Sequence, residues 1–343
     1  MNAYNRILSR LASRCGAAAG GAPAPREVCG RVPEGADAGT QDYLRYIFPD
    51  RRKLVGATSI AEQAYCEWYA AERFTGTGCV VEFGPWLGSL TAPTALGLTR
   101  NPCGKNKTID SYDLFKWETG SNGWAAGTPF VKLYQPGECF LPLYEQLVAP
   151  FQGEVVIRPH QADLSTVSWN GAPIEFLIND AWKAIPIMTH TAREFFPSLL
   201  AGATVFHQDY LWSSESFIHV GMYWMRDHFT FQTRVQNSST SVFQMQSTPS
   251  KEVLARFAAL KGYSDLREDE VDAAFAWSAS HFDEPDARLV VNAGKAWLLH
   301  KMGHDDRARR LFAENRASEH YKHPFYQFQE KVLRDWGFGF LMQ

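Results

Sequence analysis

Three short stretches of this chain carry residue types that could do chemistry. The first reads Val80-Val81-Glu82-Phe83-Gly84-Pro85-Trp86-Leu87-Gly88. Its glycines let the backbone turn sharply and come close to a ligand. A helix opening just after such a turn offers unpaired N–H groups to a carboxylate or phosphate. A dinucleotide fingerprint needs the spacing GxGxxG. Here Trp86 would crowd a pyrophosphate, so a cofactor without one fits better. The other two stretches are Ile178-Asn179-Asp180-Ala181-Trp182-Lys183 and Phe206-His207-Gln208-Asp209-Tyr210. Each follows an apolar run of strand type, and ligands of open α/β sheets bind at the carboxyl ends of strands. Lys183 and His207 are candidate bases, because a histidine near its ordinary pKa can take a proton at neutral pH. His207-x-Asp209 with a distant His281 or His300 also has the residue types of an Fe(II) facial triad. That motif belongs on a β-sandwich, which the surrounding pattern does not suggest.

The elements that must position these residues alternate between strand and helix. A helix is expected over residues 59–74, with Ile60, Ala64 and Trp68 on one face. Ser59 and Glu62 form its capping box. Residues 79–83 are a short β-branched run, the mark of a buried parallel strand. A helix over 89–98 tolerates Pro93 only in its first turn. Further strands are expected at 108–112, 154–158, 174–178 and 203–206, and helices at 138–149, 189–200 and 217–227. Residues 116–137 form a long connection of the kind that often covers a ligand. Residues 229–235 and 241–245, joined by a polar turn, read as a β-hairpin. From residue 249 the pattern is helical, in roughly four helices. Trp297, Leu298, Gly303, Ala308 and Phe312 are spaced like half of a tetratricopeptide unit, but a solenoid needs about three such units. The ordering implies an α/β, doubly wound, mostly parallel seven-stranded sheet of Rossmann-like type with a helical C-terminal extension. The expected organisation is a flexible segment over 1–39, a ligand-binding domain over 40–248 and a helical subdomain over 249–343.

With these residues in view, the chain resembles the class I S-adenosylmethionine-dependent methyltransferases, and among them the macrocin O-methyltransferase group, which modifies sugars and small metabolites. The resemblance rests on residues 80–91, 109–115 and 174–210, within a core of roughly 57–246. It implies that Glu82, Gly84 and Gly88 form the turn against the methionine part of S-adenosylmethionine. It implies that an acid ending the second strand holds the ribose hydroxyls. Asp113, in Tyr112-Asp113-Leu114-Phe115, matches it, with Asp110 as the competitor three residues earlier. Asp163 matches the acid near the adenine. The resemblance also implies a divalent ion, Mg²⁺ by its oxygen donors, held by Asp180 and Asp209. The pattern departs from the group at Asn179, Ala181 and Gln208, where the charge is lower. Asp180, His207 and Asp209 are the expected catalytic residues.

Composition bounds the alternatives. The chain has 343 residues, a net charge of −3 and 45% hydrophobic residues. No basic excess is present to bind a phosphate backbone, so the expected partner is a small-molecule or sugar substrate rather than nucleic acid. A homo-oligomer is compatible with the sequence. No apolar run is long enough for a membrane span. The six cysteines form no CxxC pair, as expected of reduced thiols in a cytoplasmic protein. Residues 1–31 are rich in arginine, as transit peptides are, but a short amphipathic helix followed by a flexible tail is the preferred reading. The rivals to a methyltransferase are the Fe(II)-dependent oxygenase and a non-catalytic protein that binds cofactor or docks a partner through its helical C-terminus.

Overall fold

A computed structural model describes residues 41–47, 54–102, 107–126, 128, 130, 131 and 133–342. The segment 1–39, with Cys15 and Cys29, lies outside the described residues, as do Cys103, Gly127 and Pro129. The elements in chain order are α1 (Ile60–Glu72), β1 (Cys79–Phe83), α2 (Thr91–Arg100), β2 (Thr108–Asp113), α3 (Ser121–Trp124), α4 (Leu141–Val148), β3 (Val156–Gln161) and β4 (Ile174–Asn179). There follow α5 (Ile185–Glu194), β5 (Leu199–His207), α6 (Phe217–Trp224), β6 (Phe229–Arg234) and β7 (Ser241–Met245). The chain then runs through α7 (Lys251–Ala259), α8 (Glu268–Ala279), α9 (Pro285–Lys301), α10 (Asp305–Ala317) and α11 (Pro324–Asp335).

The strands form one seven-stranded sheet in the order β3-β2-β1-β4-β5-β7-β6. β1 pairs parallel with β2, and β2 parallel with β3. β7 runs antiparallel to both β5 and β6. This is the order and mix of directions of the class I methyltransferase fold, with the expected hairpin at one edge. No helix among the described residues is long and apolar enough to cross a membrane.

By contact the chain divides into two compact units. The first runs to Val167 and takes in Ala172–Ile178; the second comprises Ser168–Gly171 and Asn179 onward. In the first, α1 is capped as its sequence requires: Ser59 Oγ accepts from the Glu62 N–H (3.2 Å), and Glu62 Oε2 accepts from the Ser59 N–H (2.5 Å). All of its residues from Ala61 to Glu72 are buried, so its acids need partners. Glu67 takes Arg100, and Glu72 takes Arg45 and the Tyr46 hydroxyl. β1 is buried along its whole length, as a strand with neighbours on both sides must be.

Some boundaries differ from the sequence expectation. β3 begins at Val156 rather than near 154, because the chain turns at Gly153 and the Gln152 side chain caps both the N–H and the C=O of Ile157 at 3.1 and 3.0 Å. The strand expected at 203–206 begins earlier, at Leu199, and takes in Gly202. The preceding helix stops at Glu194, since Pro197 cannot continue it. The helical region after residue 249 holds five α-helices, and it belongs to the same compact unit as β5 to β7.

Candidate active site

The first cluster is built on the ends of β1 and β2. Gly84 and Gly88 have φ of +71° and +79°, a region open to glycine and strained for other residues. The Gly84 N–H donates to the Tyr112 carbonyl at 2.9 Å, which ties the turn to β2. A Cβ on Gly88 would lie 2.9 Å from Val148 Cγ1, so α4 closes against this glycine. Trp86 also lies at positive φ, +44°, an outlier for a bulky side chain and of the kind that collects at functional sites. Its ring packs on Trp117 and Trp124, with centroids 6.1 and 5.9 Å away.

Glu82 is 1% exposed. Its Oε2 accepts from Thr91 Oγ1 at 2.6 Å and from Ser111 Oγ at 3.1 Å. Tyr144 lies behind both hydroxyls, at 3.3 and 2.9 Å. Burial pushes the Glu82 carboxyl up to about 7, with the two hydroxyls opposing. Glu82 therefore binds the first turn of α2 to β2, and its carboxyl faces hydroxyls of the protein. Ser111, Thr91 and Tyr144 were missed in the sequence. Only the strand register, which sets Ser111 opposite Glu82, could have found the first of them.

The choice between Asp110 and Asp113 follows from strand alternation. Asp110 pairs with His160 at 2.8 Å and Arg158 at 3.5 Å, both on the neighbouring β3. Asp113, one side chain further along the face that carries Ser111, ends the strand. Its carboxylate accepts from the Phe115 N–H at 2.7 Å and from the backbone of Trp86 in the glycine turn. Burial pushes it up to about 6, against those hydrogen bonds. Asp163 is exposed, and its Oδ1 accepts from the N–H and hydroxyl of Ser165 at 2.8 and 2.7 Å.

The second cluster lies at the ends of β4 and β5. Lys183 Nζ stands 2.8 Å from Asp180 Oδ1 and 2.5 Å from Asp209 Oδ2. Lys183 is exposed along part of its side chain, and the carboxylates of Asp180, Asp209 and Glu215 outweigh its desolvation and hold its proton above the ordinary lysine range. Burial also raises the Asp180 carboxyl; Lys183 opposes that shift and Asp209 adds to it. Asp180 and Asp209, which the resemblance assigned to a shared divalent ion, both face the Lys183 ammonium. No group of three or more His, Cys, Asp or Glu side chains that could hold a metal ion occurs among the described residues, so Mg²⁺ has no support in the structure.

His207 is fully buried, with Trp182, Tyr210 and Phe243 around its ring and Asn179 Nδ2 3.4 Å from its Nδ1. Burial lowers its pKa to about 3, with Asp209 opposing. It is packed as a neutral core residue, where burial makes it a weaker base than a free imidazole. The facial triad is not favoured either: His281 stacks on Phe231, and His300 is bound to Asp305 at 2.7 Å. Trp182 donates to Thr191 at 2.8 Å inside the core, whereas Trp212 remains half-exposed.

The fold and these two clusters define a doubly wound α/β protein whose polar residues gather at strand carboxyl ends. No family model and no curated protein matches the chain. Among solved structures it is similar to the O-methyltransferase NovP, at 14% identity and a TM-score of 0.43, covering 71% of this chain and 99% of that one. It is also similar to the 23S rRNA methyltransferase ErmE, at 14% identity, TM-score 0.34 and coverage of 72% and 98%. A third is the S-adenosylhomocysteine-bound methyltransferase PaMTH1 of Podospora anserina, at 12% identity, TM-score 0.35 and coverage of 72% and 98%. The fold assignment stands on the strand order and register given above.

Proposed function

We propose that this chain is an S-adenosylmethionine-dependent methyltransferase acting on a hydroxyl of a sugar or other small metabolite. The observation that carries the reading is Asp113: it ends β2 directly after Tyr112, whose carbonyl accepts from the Gly84 N–H of the glycine turn at 2.9 Å. A carboxylate there has acceptor capacity for both hydroxyls of a ribose. Beside it, the turn needs glycine at Gly84 and brings backbone close to a ligand. Net charge of −3 favours a small acceptor over a nucleic acid.

Lys183 and its acids supply the acceptor chemistry. In methyl transfer the acceptor oxygen attacks the methyl carbon. S-adenosylmethionine, when bound, would supply the methyl group and its sulfur would keep the bonding electron pair, and the acceptor's hydroxyl proton would have to leave. Asp180, raised above the usual carboxylate range, is a stronger base than a free carboxylate and takes that proton. The Lys183 ammonium stabilises the charge developing on oxygen. Turnover therefore needs no divalent ion.

The test is transfer of labelled methyl from S-adenosylmethionine to a panel of hydroxylated sugars and phenols, run with and without exhaustive EDTA. Labelled product that is insensitive to EDTA is expected. Activity that disappears with EDTA and returns with Mg²⁺ would overturn the role given to Lys183, and no transfer to any acceptor would count against O-methylation.

A further inference from the structure

The loop that follows β5 carries Asp209 and Glu215, two of the three acids that act on Lys183. Later elements hold it at several points. The hairpin takes its start: Ser239 and Thr240 hydroxyls donate to the Gln208 carbonyl at 3.0 and 3.1 Å, and the Leu211 N–H donates to Ser239 O at 2.8 Å. The Tyr210 hydroxyl meets Ser278 of α8 at 2.7 Å. At the far end, Ser216 Oγ donates to Gly294 O of α9 at 2.6 Å.

The middle of the loop is held by Gln329 of α11. Its Oε1 accepts from both the N–H and the hydroxyl of Ser213, at 3.2 and 3.3 Å. Gln329 is 0% exposed and Ser213 1%. The Gln329 amide nitrogen has no hydrogen-bond partner among the described residues, so the carboxamide is oriented through its oxygen. Alongside, Phe328 meets the Trp212 ring edge-on at 5.9 Å. A buried side chain that accepts two bonds from one residue fixes that residue's backbone. Ser213 lies between Asp209 and Glu215.

We infer that the C-terminal helices are part of the Lys183 site, and that Gln329 is a positioning residue that sets Asp209 against the ammonium. A consequence for turnover rests on the proposed role of Lys183, but the placement itself does not.

The experiment therefore reads Lys183 without cofactor or acceptor. The full chain is labelled with acetic anhydride between about pH 8 and 12, a range that spans the ordinary lysine value. The peptide containing Lys183 is followed by mass spectrometry, and the midpoint of its pH profile is read separately from its plateau. The wild-type midpoint should lie above that of a lysine model peptide. Gln329→Leu should lower it, giving about three- to tenfold more reactive amine at a fixed pH below the midpoint, as a shift of half to one unit implies. Ser213→Ala, which keeps the backbone bond, should move it the same way by less. Gln329→Glu, which keeps an acceptor oxygen, should restore it. A midpoint that stays at the wild-type value in both Gln329→Leu and Ser213→Ala overturns the proposal. Ser213→Ala also carries the test alone if Gln329→Leu does not fold. Absence of methyl transfer would leave this result standing.

Discussion

Glu82, which is buried, and Asp180, which is half-buried, are both acids at the carboxyl ends of strands, yet their surroundings make them different groups. Around Glu82 the partners are the hydroxyls of Thr91 and Ser111, with Tyr144 behind. With no cation in that hydrogen-bonded set, burial dominates and the carboxyl rises to about 7. Around Asp180 the partners are an ammonium and a second carboxylate. There Lys183 offsets part of the negative charge. The comparison teaches that an acid's place at a strand end does not fix its task. A hydroxyl shell makes a strut that braces a turn, whereas a shared ammonium makes a site where charge can move.

The sharpest way to break this contrast is Lys183→Met. It removes the ammonium and leaves Asp180 and Asp209 facing each other. Methyl transfer should fall by about 10²-fold or more, the scale of losing a charged stabiliser or proton-transfer group. Affinity for S-adenosylmethionine, measured by calorimetry, should stay near wild type. Equal loss of binding would place Lys183 in the cofactor site instead.

Asp113→Ala should weaken S-adenosylmethionine binding by about 1–3 kcal/mol, the loss expected for hydrogen bonds to a charged acceptor. Asp110→Ala should lower the melting temperature, because it strips His160 and Arg158 of their partner, and should leave that affinity unchanged. The reverse pattern would move the ribose acid to Asp110.

Glu82→Gln sharpens the first half of the contrast. The Glu82 carboxyl is raised from 4.5 to about 7 in the folded protein, so the native state binds the extra proton between those values. Its contribution to stability is present below pH 4.5 and is lost as the pH rises through about 7. The melting temperature of wild type should therefore fall relative to Glu82→Gln across that window. Parallel melting curves would show that the hydroxyl shell, and not burial, governs this acid.

His207 gives the smallest expected effect on function. Its folded pKa is lowered to about 3 from 6.5, so its contribution to stability is full above 6.5 and is lost as the pH falls toward 3. His207→Phe should flatten acid unfolding in that window and leave the shape of the pH–rate profile unaltered. An inflection near 6.5 that vanishes in His207→Phe would return it to the active site.

Much of the fold was legible because the signals are local. β1 follows the β-branched run at 79–83, α1 follows Ser59 with Glu62, and the hairpin follows its polar turn. The glycine turn was legible for the same reason, since positive φ at Gly84 and Gly88 demands a residue type that can be read directly. The partners of the acids were not legible. Ser111 reaches Glu82 only through the β1–β2 register, and Gln329 reaches Ser213 across 116 residues. The residue type of His207 suggests a base, while only packing reveals that Trp182, Tyr210 and Phe243 enclose it. Lys183 reads in the sequence only as a candidate base, and its place between the two carboxylates emerges only in three dimensions.

The most direct test of the whole account is calorimetric titration of the wild-type protein and of Gly84→Val with S-adenosylmethionine. Gly84 has φ of +71°, which a β-branched side chain cannot adopt without strain, so the variant should bind at least about tenfold more weakly if the turn cradles the cofactor. Saturable binding by the wild type and its loss in Gly84→Val is the predicted result. Wild-type protein that does not bind S-adenosylmethionine, or a folded Gly84→Val that binds it equally well, would contradict the account.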